Sequence, residues 1–294
     1  MELRTLRYFL AVAREENMTE AANVLHVTQP TLSRQIADLE RELGCTLFER
    51  TNRSCELTGD GIRLRQRAEE IVSLVEQAEA ELSDDGAELT GTIRIGAGET
   101  RAMRLVLGVF AGLRREHPGV SCELYTGNAD AVEERLERGL LDFALVLEPV
   151  SVEKYEHLRM PESDVVGVAV AADGRWAELD AATPEDVARM PLLLSSRTAN
   201  TTIDLAAWSS GRIDPEGLDV VGRFDLLGNA SHLVRAGAGC ALGIDHLLQM
   251  DAGGIKFLPL DPPLSIGSYV IWKKYRLRSR ACEEFLSRLA AACA

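Results

Sequence analysis

The 294-residue chain has no apolar run long enough to cross a membrane and no basic-then-apolar leader, so a cytoplasmic protein without a membrane partner is expected. Its six cysteines, at positions 45, 55, 122, 240, 282 and 293, form no Cys-x-x-Cys or other metal-ligand spacing, and its five histidines show no ligand pattern. Scattered thiols of this kind suit a reducing compartment. Cys122 and Cys240 fall in apolar, strand-like segments and read as small core residues rather than as a redox pair. Catalytic signatures are missing too: there is no Gly-x-Ser-x-Gly, no His-Glu-x-x-His and no phosphate loop. No catalytic residue, metal or cofactor is therefore assigned.

Positive charge is scarce. The chain carries 32 Lys and Arg against 46 Asp and Glu, for a net charge of −14. Residues 1–58 hold 7 basic and 9 acidic groups, residues 59–88 hold 3 and 9, and residues 89–294 hold 22 and 28. No segment has the excess of cations that draws a protein to phosphate without regard to sequence. Contact with nucleic acid must rest on where individual arginines stand.

What is present is concentrated between Met18 and Arg53. Thr19 is placed to cap a short helix carrying Ala21, Ala22, Val24 and Leu25, whose paired alanines let a second helix cross closely. His26-Val27-Thr28 reads as a turn, Thr28 as the next cap, and Pro30 sits in a first helical turn, where its missing N–H is harmless. Leu32, Ile36, Leu39 and Leu43 follow at spacings of four, three and four, one buried stripe. At 100° per residue, Pro30, Arg34, Ala37 and Arg41 point away from it, with Gln29 and Ser33 on its flank. Gly44 ends the helix. Leu47-Phe48 and Cys55-Glu56-Leu57 read as two short strands around Thr51-Asn52-Arg53. A short helix, a turn and a second helix outline a helix-turn-helix, which lays its second helix in the DNA major groove. Gln29, Pro30, Thr31, Ser33 and Arg34 are its candidate base-reading or positioning residues, and Arg50 and Arg53 its candidate backbone or minor-groove contacts.

From Thr58 to about Ser83 the pattern is helical and free of proline. Leu64, Ala68, Ile71, Val75, Ala78 and Leu82 recur at alternating spacings of four and three, a heptad seam. A helix of about 25 residues is roughly 37 Å long, more than a small winged domain can cover. Pairing with a second copy is the expectation, and packing on its own chain the alternative. Ser83-Asp84-Asp85-Gly86 is the expected hinge.

After Gly91 strands and helices alternate, as in α/β domains with mostly parallel sheets. Strands are read at residues 92–95, 120–125, 141–147, 165–171, 192–194, 240–244 and 268–272. Helices are read from near Arg101 to Glu116, up to Gly139, from Asn229 to Ala236, and from about Arg280. Ligands bind such sheets where loops lead into helix N-termini. Gly98-Glu99-Thr100, Gly127-Asn128, Ser195-Ser196-Arg197 and Asn229 qualify, though Thr, Ser and Asn are equally apt as plain helix caps.

The run Ala-Ala-x-x-Leu-x-Val-Thr-Gln-Pro-Thr-Leu-Ser-Arg-Gln-Ile resembles the winged helix-turn-helix of LysR-type transcriptional regulators, as do Leu39-Glu40, Leu43-Gly44-x-x-Leu47-Phe48-x-Arg50 and Leu57-Thr58-x-x-Gly61. The likeness continues more loosely through Thr92-Ile93-Arg94-Ile95-Gly96, Leu136-x-x-Gly139-x-Leu141-Asp142 and the glycine-rich stretch from Gly237 to Ile244. It implies a mixed fold in three parts. These are a winged helix-turn-helix at 1–58, a coiled-coil linker helix and hinge at 59–88, and a periplasmic-binding-protein-like α/β domain at 89–294. The last would divide into subdomain I, about 89–163 and 266–294, and subdomain II, about 164–265. The resemblance also implies double-stranded promoter DNA as a partner, a homodimer that usually becomes a homotetramer, and a small effector in the cleft. Its contacts would be Glu99, Thr100, Arg101, Asn128, Ser195 and Ser196, with Asn229 added from the helix start. Arg101 and Arg197 suit an anionic group and Glu99 an amine, so an amino acid or other small polar metabolite is the expected effector. Where many relatives have a proline after the glycine-rich strand, this chain has Asp245-His246-Leu247-Leu248.

A second reading stays open from sequence alone. The α/β half could be a small-molecule binding protein or enzyme, with the helical head as its oligomerisation module.

Overall fold

Leu6, Phe9, Val12 and Ala13 recur along the first helix as one buried face, and that face organises the N-terminal part of the chain. The computed structural model describes residues 1–50, 55–82, 89–150, 153–196, 203–245, 253–275 and 278–294. The chain divides into two units, Met1–Asp84 and Asp85–Ala294. The expected hinge at residues 83–86 and the positions Arg53, Arg197 and His246 lie outside the described residues, as do the side chains of Arg50 and Leu82.

In the first unit α1 (Leu3–Glu15), α2 (Met18–Val24) and α3 (Gln29–Leu43) precede a two-stranded antiparallel wing, β1 (Phe48–Arg50) and β2 (Cys55–Leu57), and the long α4 (Gly59–Leu82). Asn17, not Thr19, caps α2: its side-chain oxygen accepts from the Thr19 and Glu20 amides at 2.8 and 3.2 Å, so the helix starts two residues earlier than expected. Thr28 holds the N-cap position of α3 without a side-chain cap bond, and its hydroxyl meets that of Thr31 at 2.8 Å instead. His26 takes a left-handed φ of 54° in the turn. Leu32, Ile36 and Leu39 are buried as the stripe requires, but Leu43 is exposed because α3 reaches past the core in its last turn. Phe9 and Phe48 meet with ring centroids 5.2 Å apart, joining α1 to the wing.

Two joints fix the wing against α3 and α4. The Glu40 carboxylate accepts from the Leu47 and Phe48 amides at 2.8 and 3.2 Å, tying the end of α3 to β1. The Thr58 hydroxyl donates to the Thr46 carbonyl at 2.7 Å and accepts from the Gly61 amide at 3.0 Å, capping α4. Gly61 sits under this joint, and a Cβ there would lie 2.2 Å from the Leu47 carbonyl oxygen. Gly61→Ala must push backbone aside and is expected to lower stability by about 1–3 kcal/mol. A melting midpoint equal to that of the unaltered protein would show that the wing is not held this tightly.

The α4 seam differs from the one expected. Ala68 is fully buried and Val72 nearly so in the head's own core, with Leu64 packed beside them, because α1 lies along this part of α4. Arg7 of α1 reaches Glu79 at 3.6 Å. Among the described residues the large apolar side chains exposed on α4 are Ile62 at 51%, Ile71 at 37% and Leu74 at 51%. Val75 is half-buried and Ala78 exposed, both on the side of Ile71 and Leu74. Ala68 therefore has no surface left to offer a partner.

The second unit contains two sheets, and both are mixed rather than mostly parallel. In the first, β3 (Gly91–Ala97) lies parallel to β4 (Val120–Thr126) and β5 (Phe143–Leu147), while β13 (Ser268–Lys273) runs antiparallel to β5 and to β6 (Tyr155–Arg159). Its helices are α5 (Met103–Glu116), α6 (Ala129–Glu137) and α10 (Arg280–Cys293). In the second, β8 (Leu192–Ser195) lies parallel to β9 (Val220–Phe224) and β10 (Cys240–Ile244), while β7 (Asp164–Ala171) is antiparallel to β10, β11 (Ile255–Pro259) and β12 (Ser265–Ile266). α7 (Pro184–Val187), α8 (Leu205–Trp208) and α9 (Leu227–Arg235) accompany it. The antiparallel members arise because the chain passes from one sheet to the other twice, before β7 and before β13, and each crossing brings a strand in from the opposite end.

The six cysteines are free thiols, and burial pushes Cys122 and Cys240 each up to about 11. Because the thiolate is the reactive form, iodoacetamide at neutral pH is expected to leave both unmodified in the folded protein. Rapid labelling of either, read by mass spectrometry, would contradict that burial.

Candidate functional site

The recognition face is built by α3. Leu32, Ile36 and Leu39 face the core, so the opposite side of the helix is held outward by packing rather than by its own bonds. Gln29, Pro30, Thr31 and Arg34 are exposed there and Ser33 is half-buried on the flank. Arg41, on the same side, is engaged by Asp38 at 2.6 Å. Arg34 makes no hydrogen bond or ion pair with any described residue, which leaves its five N–H donors available. The Arg50 backbone pairs with Cys55 across the wing.

The second candidate site is the cleft between the two sheets, a cavity of about 140 Å³. Glu99, Thr100, Asn128 and Ser195 all line it, together with Leu145, Leu147, Phe224, Asp225, Leu227 and Ile244. Ser196, Arg101 and Asn229 are not among the lining residues. Ser196 is turned into the sheet edge, its amide donating to the Phe224 carbonyl at 2.8 Å. Asn229 stands exposed in the first turn of α9, a helix that begins two residues earlier than expected, at Leu227.

Arg101 is committed elsewhere. Its guanidinium reaches Asp245 at 3.3 Å and Glu162 at 4.0 Å, while its amide donates to Asp164 at 3.1 Å. The Thr100 hydroxyl donates to the other Asp164 oxygen at 2.7 Å, so Thr100 does not cap α5, which starts only at Met103. Asp164 is buried at the start of β7, and burial raises its carboxyl above the usual range, opposed by these two donors. Asp245 also accepts from the Val165 amide at 3.0 Å. The departure from proline noted in the sequence thus supplies a carboxylate that pins β7 and holds Arg101.

Asn128 does cap α6, accepting from the Ala131 amide at 2.9 Å, but its amide group also donates to Asp225 at 3.2 Å. Glu99 reaches furthest: its Oε2 accepts from the Leu227 amide at 2.6 Å at the start of α9. Both links run from loops of the first sheet to the 225–227 stretch of the second. Among the described residues no group of His, Cys, Asp and Glu could hold a metal ion, and no helix is long and apolar enough to cross a membrane.

Comparison with known proteins covers both units. The sequence model of the bacterial regulatory helix-turn-helix protein of the lysR family matches residues 3–62, and that of the LysR substrate binding domain matches residues 86–294. Among curated relatives, the HTH-type transcriptional regulator GbpR of Azospirillum brasilense is 35% identical over 49% of this chain and 42% of its own length. The HTH-type transcriptional regulator BenM of Acinetobacter baylyi is 39% identical over 48% and 46% respectively. The chain thus spans about half the length of these curated relatives it matches. Among solved structures, CbnR, a LysR family transcriptional regulator, superposes with a TM-score of 0.72 at 21% identity, covering 100% of both chains. It shares the fold of this chain and has also been solved with its target DNA. With both halves matched in order, the chain belongs to the LysR family of bacterial regulators.

Proposed function

We propose that this protein is a sequence-specific DNA-binding transcriptional regulator whose activity at a promoter responds to a small molecule held in the cleft of its second unit. The observation that carries the reading is Arg34, exposed and without a polar partner among the described residues, on the outer face of a helix whose inner face is locked into the core. Gln29, Pro30, Thr31 and Ser33 would read or position bases beside it, and Arg50 and Arg53 would lie on the DNA backbone or in the minor groove. Two copies would pair through the exposed side of α4, giving two recognition helices for a two-fold symmetric site, and two such dimers would form the tetramer. We take residues 1–58, 59–88 and 89–294 as reader, linker and sensor, in a cytoplasmic, non-enzymatic protein. Effector contacts are assigned to Glu99, Thr100, Asn128 and Ser195, which share one cavity with convergent polar groups. Footprinting on the DNA upstream of the chain's own coding sequence tests this. Protection of two half-sites about 10 bp apart, or a multiple of that, is expected. Uniform or absent protection would count against a symmetric reader.

A further inference from the structure

Among the described residues that line the cleft there is no basic side chain, while two carboxylates, Glu99 and Asp225, flank the same short stretch at its polar end. Glu99 occupies the place where an anionic ligand would bind. Its Oε2 takes the Leu227 amide at 2.6 Å, and its Oε1 lies 3.3 Å from where a Cβ on Gly228 would be. Helix N-termini attract anions through their free N–H groups and positive dipole end, and here the protein supplies that anion itself. Asp225 accepts one bond from the described residues, from Asn128 at 3.2 Å, through one of its two oxygens. Arg101, two residues from Glu99, is held by Asp245 at 3.3 Å, and Arg223, two residues from Asp225, does not line the cleft and turns its guanidinium to the Ser195 carbonyl at 3.5 Å. The rest of the wall is largely apolar, contributed by Leu145, Leu147, Phe224, Leu227 and Ile244.

We infer that the cleft selects a small amine, an apolar body of about one ring carrying a protonated nitrogen, and rejects carboxylates. The size follows from the volume: about 140 Å³ is close to the roughly 150 Å³ in which an apolar cavity holds benzene. The charge selection follows from Coulomb's law. A carboxylate brought near Glu99 and Asp225 is repelled, and an ammonium is attracted, more strongly than either would be in water. This deepens the sensing role proposed above and rests on the cleft being the effector site. It revises the zwitterion expectation as far as Arg101 carried it, since that arginine is occupied elsewhere, while Arg197, the other one invoked, lies outside the described residues.

The test uses three probes of one shape, benzylamine, benzyl alcohol and benzoate, titrated calorimetrically into the full chain. Benzylamine is expected to bind about tenfold or more tightly than benzoate, with the alcohol between them. Glu99→Gln keeps an acceptor for the Leu227 amide but removes the charge, so the gap between amine and acid should narrow by about tenfold, and Asp225→Asn should narrow it independently. Benzoate binding as tightly as benzylamine, or no benzylamine binding up to its solubility limit, would overturn the inference. Ser195→Trp, which fills the cleft from an exposed position, separates the two claims. Benzylamine binding that survives this change refutes the cleft itself. Binding lost to it, with amine and acid equal in the unaltered protein, refutes only the charge selection.

Discussion

Replacing Ile71 and Leu74 together by glutamate is expected to turn a dimer of residues 1–88 into a monomer. Both side chains project from α4 into solvent, at 37% and 51% exposure, although α4 already buries Ala68 and Val72 against its own chain. A 24-residue helix of about 36 Å extends well beyond the short helices of the head, so its outer side needs another cover. In a two-fold pair, each copy would bring both residues to the seam. Four such side chains, each worth roughly 1.5–3 kcal/mol when fully buried, outweigh the weak surface ion pairs along α4, such as Arg65 with Glu69 at 3.0 Å. Four carboxylates in their place lose that burial and add like-charge repulsion across the axis. Light scattering should report the monomer mass. Operator affinity should then fall by about 10²–10⁴, because the second half-site no longer binds as a tethered event. A dimer that persists at the same concentration would place the interface away from this side of α4.

Arg34→Ala is the complementary experiment, expected to remove sequence reading and leave assembly alone. Arg34 is exposed and makes no hydrogen bond or ion pair with any described residue, so its loss should barely move the melting midpoint. A good bidentate contact to a base contributes about 1–3 kcal/mol of discrimination, a factor of roughly five to 150 in operator affinity. The loss should be confined to the specific site, with binding to unrelated DNA weakened far less. Equal loss on both DNAs would make Arg34 a phosphate contact, and no loss on either would remove it from the reading face.

The helix-turn-helix was legible because its information is local. The spacing of Leu32, Ile36 and Leu39 fixes which way Arg34 points, whatever the rest of the chain does. α1 went unread although Leu6, Phe9 and Ala13 recur at helical spacing, and what it packs on is not local: α1 claims Ala68 and so splits the seam of α4. The mixed sheets were missed for the same reason. β6, β9, β11 and β12 went unread, and the strands that make the sheets mixed, β7 and β13, take their direction from where the chain crosses between sheets, which no period of two records. In the cleft, loop chemistry pointed to Glu99, Thr100, Asn128 and Ser195, but the long-range partners of the first three are 64 to 128 residues away in sequence, as with Glu99 and Leu227. Asp164, Asp225 and Asp245 carried no signal of their own, since an aspartate beside a strand or turn is ordinary. One hint was available in Asp245, standing where many relatives have proline. Glu40, which reads as a solvated helix residue, proved to be the staple between α3 and the wing.

The measurement that bears most directly on the account is a fluorescence-anisotropy competition at fixed salt. The full-length protein is bound to a labelled duplex from upstream of its own coding sequence. It is then challenged with that duplex unlabelled, or with a scrambled duplex of the same length and composition. Residues 1–58 are slightly acidic, so affinity must come from placed contacts rather than from general attraction to phosphate. The account expects the upstream duplex to compete about 10³-fold or more better than the scrambled one, and Arg34→Ala to remove much of that advantage. Equal competition by the two duplexes, with the protein folded and dimeric, would contradict the reading of this chain as a sequence-specific regulator.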